Sequence, residues 1–411
     1  MVDISSARPP IWREIPKGIW ALGFVSLLMD VSSEMIHALL PVYMVTVLGV
    51  SALTVGIIEG IAEATAAITK VFSGVLSDWL GKRKLLVALG YGMAALTKPV
   101  FPLAPSIGWL ISARFIDRVG KGIRGAPRDA LIADISPVHL RGASFGLRQS
   151  LDTVGAFVGP LLALGLMWWT SDQFAIVFWI AVIPAVLSFL LVVLAVKEPE
   201  RQPGMRGVRL PFSRSDLVRL PLNYWVVVGL SAVFTLARFS EAFLILDAQV
   251  VGLSLMFVPL VLIVMNISYA LSAYPVGVLA DRVDRASLLM MGLALLVAAD
   301  LFLAFIPGLL GLGVGVVLWG LHMGFSQGVL AAFVADAAPA ELRGTAFGIF
   351  NLTAGVALLI ASVVAGALWD TAGPQGTFLA GASFAALAAA GLFLSRRWLR
   401  TRKMEEETAD V

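Results

Sequence analysis

The chain has 411 residues, of which 59% are hydrophobic and 14% are charged, and its mean hydropathy is +0.91. A soluble domain cannot hide that much apolar surface from water, so the composition indicates a protein that crosses a membrane repeatedly. The net charge is only +3, and the absence of cysteine excludes disulfides and thiolate metal sites.

Apolar blocks of about 20 residues, the length that spans the hydrocarbon core of a bilayer, follow one another along the chain. The polar residues 1–17 and the long first block are unlike a cleavable signal peptide. We predict an all-α polytopic membrane protein with about twelve transmembrane spans. The blocks lie at 18–48, 54–77, 85–104, 107–132, 141–167, 173–196, 222–249, 254–279, 287–306, 308–335, 343–369 and 375–395.

Two segments of the sequence recur about half a chain apart. Residues 133–146 return at 335–348, and residues 74–78 return at 277–281. Matches in the same register predict two parallel, pseudo-symmetric six-helix bundles. A polar connector rich in proline and glycine follows the sixth block and is typical of a linker. The predicted boundaries are 1–196 for the first bundle, 197–220 for a cytoplasmic linker, and 221–411 for the second bundle with its short basic tail.

Lysine and arginine are concentrated in alternate loops. The 2–3 loop, the 6–7 connector, the 8–9 loop and the C-terminal tail are basic, whereas the loops between them contain no lysine or arginine. Basic loops stay on the cytoplasmic side of a membrane. The pattern therefore predicts that both termini are cytoplasmic.

The 2–3 loop carries a recognisable motif. The segment from Gly74 to Lys84 reads GVLSDWLGKRK and resembles the signature G-x-L-x-D-R-x-G-R-K of the major facilitator superfamily, with Trp79 in place of the usual arginine. The resemblance implies that this loop latches the two halves together in one conformational state; the alternative is that its basic residues serve as a topology signal. The residues assigned to the latch are Gly74, Asp78, Gly81 and Arg83, with Gly277, Asp281 and Arg285 in a degenerate second copy.

Two further segments resemble motifs of the same superfamily. The fourth span looks like R-x-x-Q-G from Arg114 onward, although Asp117 replaces the glutamine. The fifth span is similar to the motif G-x8-G-x3-G-P of the drug/proton antiporter branch. The residues that match it are Gly146, Gly155, Gly159 and Pro160. Independently of the resemblance, glycines spaced by four residues allow another helix to approach closely.

Ionisable side chains occur inside the spans at helical spacing. Asp30, Glu34 and His37 share one face of span 1. The same spacing predicts one charged face on span 4, formed by Asp117, Lys121, Arg124 and Arg128. A charge at membrane depth costs about 3 kcal/mol or more unless it is paired or faces water, so these faces predict a polar cavity. Candidates for the substrate and proton pathway are Asp30, Glu34, His37, Glu59, Glu63, Asp117, Lys121, Arg124, Arg128, Arg148, Asp152, Arg238 and Glu241.

The same charges allow a structural interpretation, in which acids of spans 1 and 2 pair permanently with bases of spans 4 and 5. Asp30 and Glu34 have no local base and are therefore the favoured proton carriers. Spans 3, 6 and 12 are nearly free of charge, which agrees with the peripheral position that the resemblance implies for spans 3, 6, 9 and 12. Asp300 in span 9 does not fit this arrangement.

The resemblance implies a secondary transporter of a bacterial-type inner (plasma) membrane that works by alternating access, with proton-coupled efflux of a small organic molecule as the leading function. Alternatives are transport of a metal ion or chelate, for which Asp30, Glu34 and His37 are weak candidate ligands, and uptake of an anionic metabolite. The short polar segments contain no nucleophile–base set, so no enzyme activity is expected. We expect no cofactor and no nucleic-acid partner, and a monomer in the lipid bilayer.

Overall fold

The computed structural model describes residues 14–198, 214–280, 283–339 and 342–409, and every regular element in these ranges is a helix. The N-terminal half contains α1 (Lys17–His37), α2 (Leu40–Thr46), α3 (Ala52–Leu80), α4 (Arg83–Thr97), α5 (Val100–Leu103), α6 (Ile107–Ile135), α7 (Arg141–Thr170) and α8 (Phe174–Ala195). The C-terminal half contains α9 (Arg214–Arg219), α10 (Leu222–Ala237), α11 (Ala242–Val250), α12 (Leu260–Ala280), α13 (Arg285–Phe305), α14 (Gly308–Ala337) and α15 (Arg343–Ala409).

These helices form the predicted twelve spans within the described ranges. Ten segments are long and apolar enough to cross a membrane, and one of them, Thr345–Ser395, is two spans. It divides at Gly373, whose φ of 74° and ψ of −177° interrupt the helix immediately before Pro374. The remaining span is α6, which has 29 residues but is rich in charge. Spans 1, 3 and 7 are formed by the pairs α1–α2, α4–α5 and α10–α11.

Spans 1 and 7, predicted as continuous, are each divided at equivalent places in the two halves. Span 1 breaks after His37, and Pro41 at the start of α2 lacks the N–H that would continue the helical ladder. Span 7 breaks between Ala237 and Ala242, where Arg238 has a ψ of 73°. The short segments α2 and α11 that follow the breaks pack against each other.

Within each half, the spans pack in the arrangement of a six-helix bundle, mostly against spans that are not their neighbours in sequence. The closest packing in the first half involves spans 1 and 5, 2 and 4, 3 and 4, and 1 and 6. In the second half it involves spans 7 and 11, 8 and 10, 9 and 10, and 9 and 12. The two halves meet through spans 2 and 11 and through spans 5 and 8.

Candidate functional site

A cavity of about 680 Å³ lies between the two halves. Spans 1, 2, 4 and 5 form one wall, and span 8 forms the other. Five basic and three acidic residues line it: Lys70, Lys121, Arg124, Arg128 and Arg148, with Asp30, Glu34 and Asp152. The uncharged lining residues are Gly125, Gln149, Thr153, Val154, Ala156, Phe157, Asn266, Ile267, Tyr269, Ala270 and Leu271.

One end of this cavity is closed by contacts between the halves. We call it the sealed end; it carries the 1–2 and 11–12 loops. Both carboxylate oxygens of Asp370, at the end of span 11, accept hydrogen bonds from the backbone N–H groups of Ala52 and Leu53 at 3.1 Å. Asp370 thereby caps the N-terminus of span 2, where free N–H groups and the helix dipole favour a negative charge.

Small residues bring the backbones of spans 2 and 11 together near the sealed end. A side chain added at Gly60 would lie 3.0 Å from the backbone of Leu359, and one added at Gly366 would lie 2.7 Å from Leu53. The amide of Asn266 on span 8 donates to the carbonyl of Ala156 on span 5 at 3.4 Å. These contacts hold the two halves together at this end.

At the opposite end, which carries the 2–3 and 4–5 loops, spans 5 and 8 have glycines with open space beside them. Side chains added at Gly142 and Gly146 of span 5, or at Gly277 of span 8, would meet no described atom within 4 Å. We call this the open end. The fifth-span motif is thus split, because Gly146 lies there without close contacts.

Gly155 and Gly159 of the same motif pack span 5 against span 1. A side chain added at Gly155 would lie 2.7 Å from the carbonyl of Leu27 and 2.9 Å from Cβ of Asp30. One added at Gly159 would lie 2.7 Å from Cβ of Glu34. Pro160 is buried within the unbroken helix α7. The two glycines therefore let span 5 lie directly behind the two acids of span 1.

Two acids of span 2 pair with bases of span 4. Glu59 accepts a hydrogen bond from Arg114 at 2.6 Å, and both side chains are buried. Glu63 accepts one from Arg118 at 3.1 Å. Neither acid lines the cavity. The structure thus places both in the paired arrangement that the sequence left open.

Asp117 also lies away from the cavity, although the helical spacing predicts that it shares a stripe with Lys121. It accepts a hydrogen bond from the ammonium group of Lys98 at 3.0 Å, and both side chains are almost completely buried. Lys98 also donates to Ser33 at 3.1 Å. Lys98 belongs to span 3, which sequence reasoning treated as nearly uncharged. The missed signal is a lysine inside an apolar block, which requires an acid on a neighbouring helix.

His37 connects span 1 with span 2. Its Nδ1 lies 3.4 Å from a carboxylate oxygen of Glu34, and its Nε2 lies 4.0 Å from Glu59. Asp30, by contrast, has no hydrogen bond or ion pair with any other described side chain. Asp30 and Glu34 both face the cavity, as their spacing predicts.

The basic residues of the cavity wall differ in their hydrogen-bond and ion-pair partners. Arg148 pairs with Asp152 and lies 3.9 Å from Asp129. Arg128 donates to Ser26 at 2.9 Å and to Asp129 at 3.4 Å.

Arg124 and Lys121 have fewer hydrogen-bond and ion-pair partners than Arg128 and Arg148. The guanidinium group of Arg124 lies 4.6 Å from the ring centre of Tyr91, and its Nη1 is buried with no hydrogen-bond partner among the described residues. Lys121 is exposed to the cavity and forms no ion pair within the described part of the chain.

In each half, a basic residue that follows the second span of that half contacts the repeated segment at 133–146 or 335–348. Arg83 of the 2–3 loop pairs with Asp134 at 2.5 Å, and Arg285 pairs with Asp336 at the equivalent place in the second half. Gly81 ends α3 in the left-handed conformation, with φ of 61°, which favours glycine. Gly74 faces Ala126 of span 4. The side chain of Asp78 and the whole of Asp281 lie outside the described residues, so their latch role stays a prediction.

The remaining candidates lie in the second half and do not line the cavity. Arg238 and Glu241 flank the break in span 7. Asp300 is completely buried, and both its carboxylate oxygens lack a hydrogen-bond partner among the described residues. In the described part of the chain, no three histidine, aspartate or glutamate side chains are grouped so that they could hold a metal ion.

Comparisons with known proteins agree with this architecture. The sequence model of the Major Facilitator Superfamily matches residues 22–357 and 229–410. An uncharacterised MFS-type transporter of Methanocaldococcus jannaschii is 35% identical over 392 residues, which are 93% of this chain and 95% of that protein. The quinolone resistance protein NorA of Staphylococcus aureus is 26% identical over 185 residues, 45% of this chain and 46% of its own length.

The fold is also found among solved structures. The crystal structure of a POT family transporter in complex with a thioalcohol-conjugated peptide superposes with a TM-score of 0.80 at 14% sequence identity, covering 95% of this chain and 100% of that one. At this identity the likeness concerns the fold alone. With two bundles, twelve spans and a cavity between them, and with a family match over nearly the whole length, this chain is a membrane transporter that belongs to the Major Facilitator Superfamily.

Proposed function

We propose that this transporter exports a small organic molecule in exchange for protons, by alternating access. The observation that carries the proposal is the cavity between the halves, sealed at one end and lined by the unpaired Asp30 and by Glu34. A central site between two repeats that rock against each other is the basis of alternating access. The name of the relative NorA, a quinolone resistance protein, supports the direction of transport.

In this mechanism the sealed end opens when the open end closes. The cap that Asp370 forms on span 2 and the close approach of Gly60 and Gly366 to the opposing backbones would have to separate. The latch assigned to Asp78 would act at the other end in the opposite state.

Proton coupling is assigned to Asp30 and Glu34. Contact with water, burial and nearby bases each change the proton affinity of a carboxylate. Both acids lie on span 1 beside Gly155 and Gly159 of span 5, so a movement of the halves would change their surroundings. A proton bound in one state could then be released in the other.

The proposal includes the orientation in the membrane. With both termini cytoplasmic, as the basic loops predict, the open end of the cavity faces the cytoplasm and a substrate of export enters there. We place the protein in an inner (plasma) membrane as a monomer, with the two halves and the linker divided at 196 and 220.

The test uses purified protein in proteoliposomes. Thermal-shift screening of organic compounds identifies ligands, because a compound that binds the folded state raises the apparent melting temperature. With a ligand in hand, an imposed pH gradient should drive transport in the wild type, whereas Asp30→Asn and Glu34→Gln should abolish it. Counterflow, which requires only binding and rocking, should survive in at least one variant.

The matched control is Asp172→Asn, which changes an acid in the loop between spans 5 and 6 and should leave pH-driven transport intact. Normal pH-driven transport in both Asp30→Asn and Glu34→Gln would remove span 1 from the coupling scheme. Transport that ignores the pH gradient in the wild type would refute proton exchange.

A further inference from the structure

The cavity carries more positive than negative charge. Five bases and three acids line it, which leaves an excess of two positive charges when all are ionised. Ion pairs engage charges of both signs, since Asp152 pairs with Arg148 and Arg128 lies 3.4 Å from Asp129, whereas Lys121 and Arg124 form no ion pair within the described residues. A solute that enters this space therefore meets a positive potential, which disfavours a simple cation.

Three of the five bases lie on span 4, and Lys70 of span 2 packs beside them. Lys121 and Arg124 are separated by one helical turn, so their side chains lie on neighbouring positions of the same face. Arg124 is 6% exposed, and its buried Nη1 has no hydrogen-bond partner among the described residues. A guanidinium group that lines the cavity without an acid partner among the described residues can form charge-assisted hydrogen bonds with an arriving anion. Lys121, exposed to the cavity, adds a second donor and a second charge.

The facing wall has a different chemistry. Ile267, Ala270 and Leu271 of span 8 present apolar surface, and no charged residue of span 8 lines the cavity. Tyr269 donates its hydroxyl to Gln327 at 3.3 Å, and the amide of Asn266 donates to the carbonyl of Ala156. Their polar atoms therefore face other protein groups. A volume of about 680 Å³ is of the size that holds a drug-sized molecule.

We infer that the substrate is an amphipathic organic anion. Its acid group binds between Lys121 and Arg124 on span 4, and its apolar body packs against Ile267 and Leu271 on span 8. This inference rests on the proposed function, because it concerns the same cavity. Unlike the proposed function, this inference specifies the charge and shape of the substrate. It does not depend on the driving force or the direction of transport.

The test compares three fluorescent probes that share one apolar ring system and differ in charge: dansylglycine (anion), dansylamide (neutral) and dansylcadaverine (cation). Binding to detergent-solubilised, full-length protein is measured by fluorescence anisotropy without any gradient. Dansylglycine should bind most tightly. Lys121→Gln and Arg124→Gln should each weaken its binding by about 30-fold or more, as expected when one partner of a desolvated charge pair is removed.

Three further variants distinguish a change at the binding site from a change in the overall charge of the protein. Lys121→Arg keeps the charge and should retain binding within a few fold. Lys82→Gln removes a lysine from the exposed 2–3 loop and should leave binding unchanged, which controls for the overall charge. Ile267→Asn should weaken dansylglycine and dansylamide by a similar factor, because it alters the wall that contacts the shared ring.

Several outcomes would contradict the inference, and a different one would contradict the proposed proton exchange alone. Tighter binding of dansylcadaverine, or unchanged dansylglycine affinity in Lys121→Gln when that variant melts like the wild type, would overturn the inference. So would equal binding of all three probes, or no binding of dansylglycine. If dansylglycine binds as expected and no pH gradient drives its transport, the inference stands and the proposed proton exchange fails.

Discussion

The two six-helix halves share one helix order but have different interiors. The first half contains buried ion pairs, such as Glu59–Arg114 and Asp117–Lys98. In the second half, the buried Asp300 has no hydrogen-bond partner among the described residues, and the buried His322 lies beside the ring of Phe234. The two repeats therefore share the packing of their helices, whereas these buried ion pairs belong to the first half.

This difference assigns a role to each half. The first half supplies the charged wall of the cavity, and its ion pairs hold spans 2, 3 and 4 together. The second half supplies an apolar wall and the cap at Asp370, which reaches across to span 2. A transporter needs both a site that recognises charge and an interface that can separate, and here the two requirements are met by different repeats.

The largest loss of stability is expected when one charge of a buried ion pair in the first half is removed. Asp117→Leu leaves the ammonium group of Lys98 buried and without its acid, which we expect to cost about 3–5 kcal/mol of stability. The measurement is the melting temperature of the purified variant in detergent. The double variant Asp117→Leu with Lys98→Met replaces the pair by apolar side chains and should recover most of the loss. A double variant as unstable as the single one would contradict this account of the pair.

A smaller effect is expected where span 5 contacts span 1. Gly159→Val would push a side chain against Cβ of Glu34 and the carbonyl of Val31, and overpacking of this kind costs about 1–3 kcal/mol. Gly165→Val, on the same helix but with open space around it, is the matched control and should have little effect. Thermal unfolding measures both. Equal stability of the two variants would show that the close approach of spans 1 and 5 is not needed.

The smallest effect concerns the interface between the halves. Asp370→Ala removes the cap on span 2, and loss of a helix cap costs about 1 kcal/mol, or roughly five-fold in an equilibrium. We expect a larger population open at the sealed end. Because the chain has no cysteine, a single cysteine at Ser362, which is buried there, reports this opening through maleimide labelling. Labelling should rise about five-fold.

The matched control for the cap is Thr371→Ala. Its hydroxyl donates to Ala367 of its own helix, so the change should not affect the interface. If Asp370→Ala and Thr371→Ala label alike, the cap does not hold the sealed end closed.

Much of the fold could be predicted because the signals are local. Span lengths follow from runs of apolar residues, and the two repeats follow from segments such as 133–146 and 335–348. Helical periodicity also places Asp30 and Glu34 on the cavity face. The breaks in spans 1 and 7 were not predicted, because both lie inside apolar blocks that hydropathy does not distinguish from continuous helix.

The sequence by itself determined the number of spans, their division into repeats and the presence of a charged face on span 4. Only the tertiary structure decided which of those charges face the cavity. Asp117 and Lys121 are one turn apart, yet Asp117 points to Lys98 of span 3 and Lys121 to the cavity. Which partner a charge meets depends on how neighbouring helices are rotated and brought together. That arrangement is set by packing over the whole bundle, which no local pattern records.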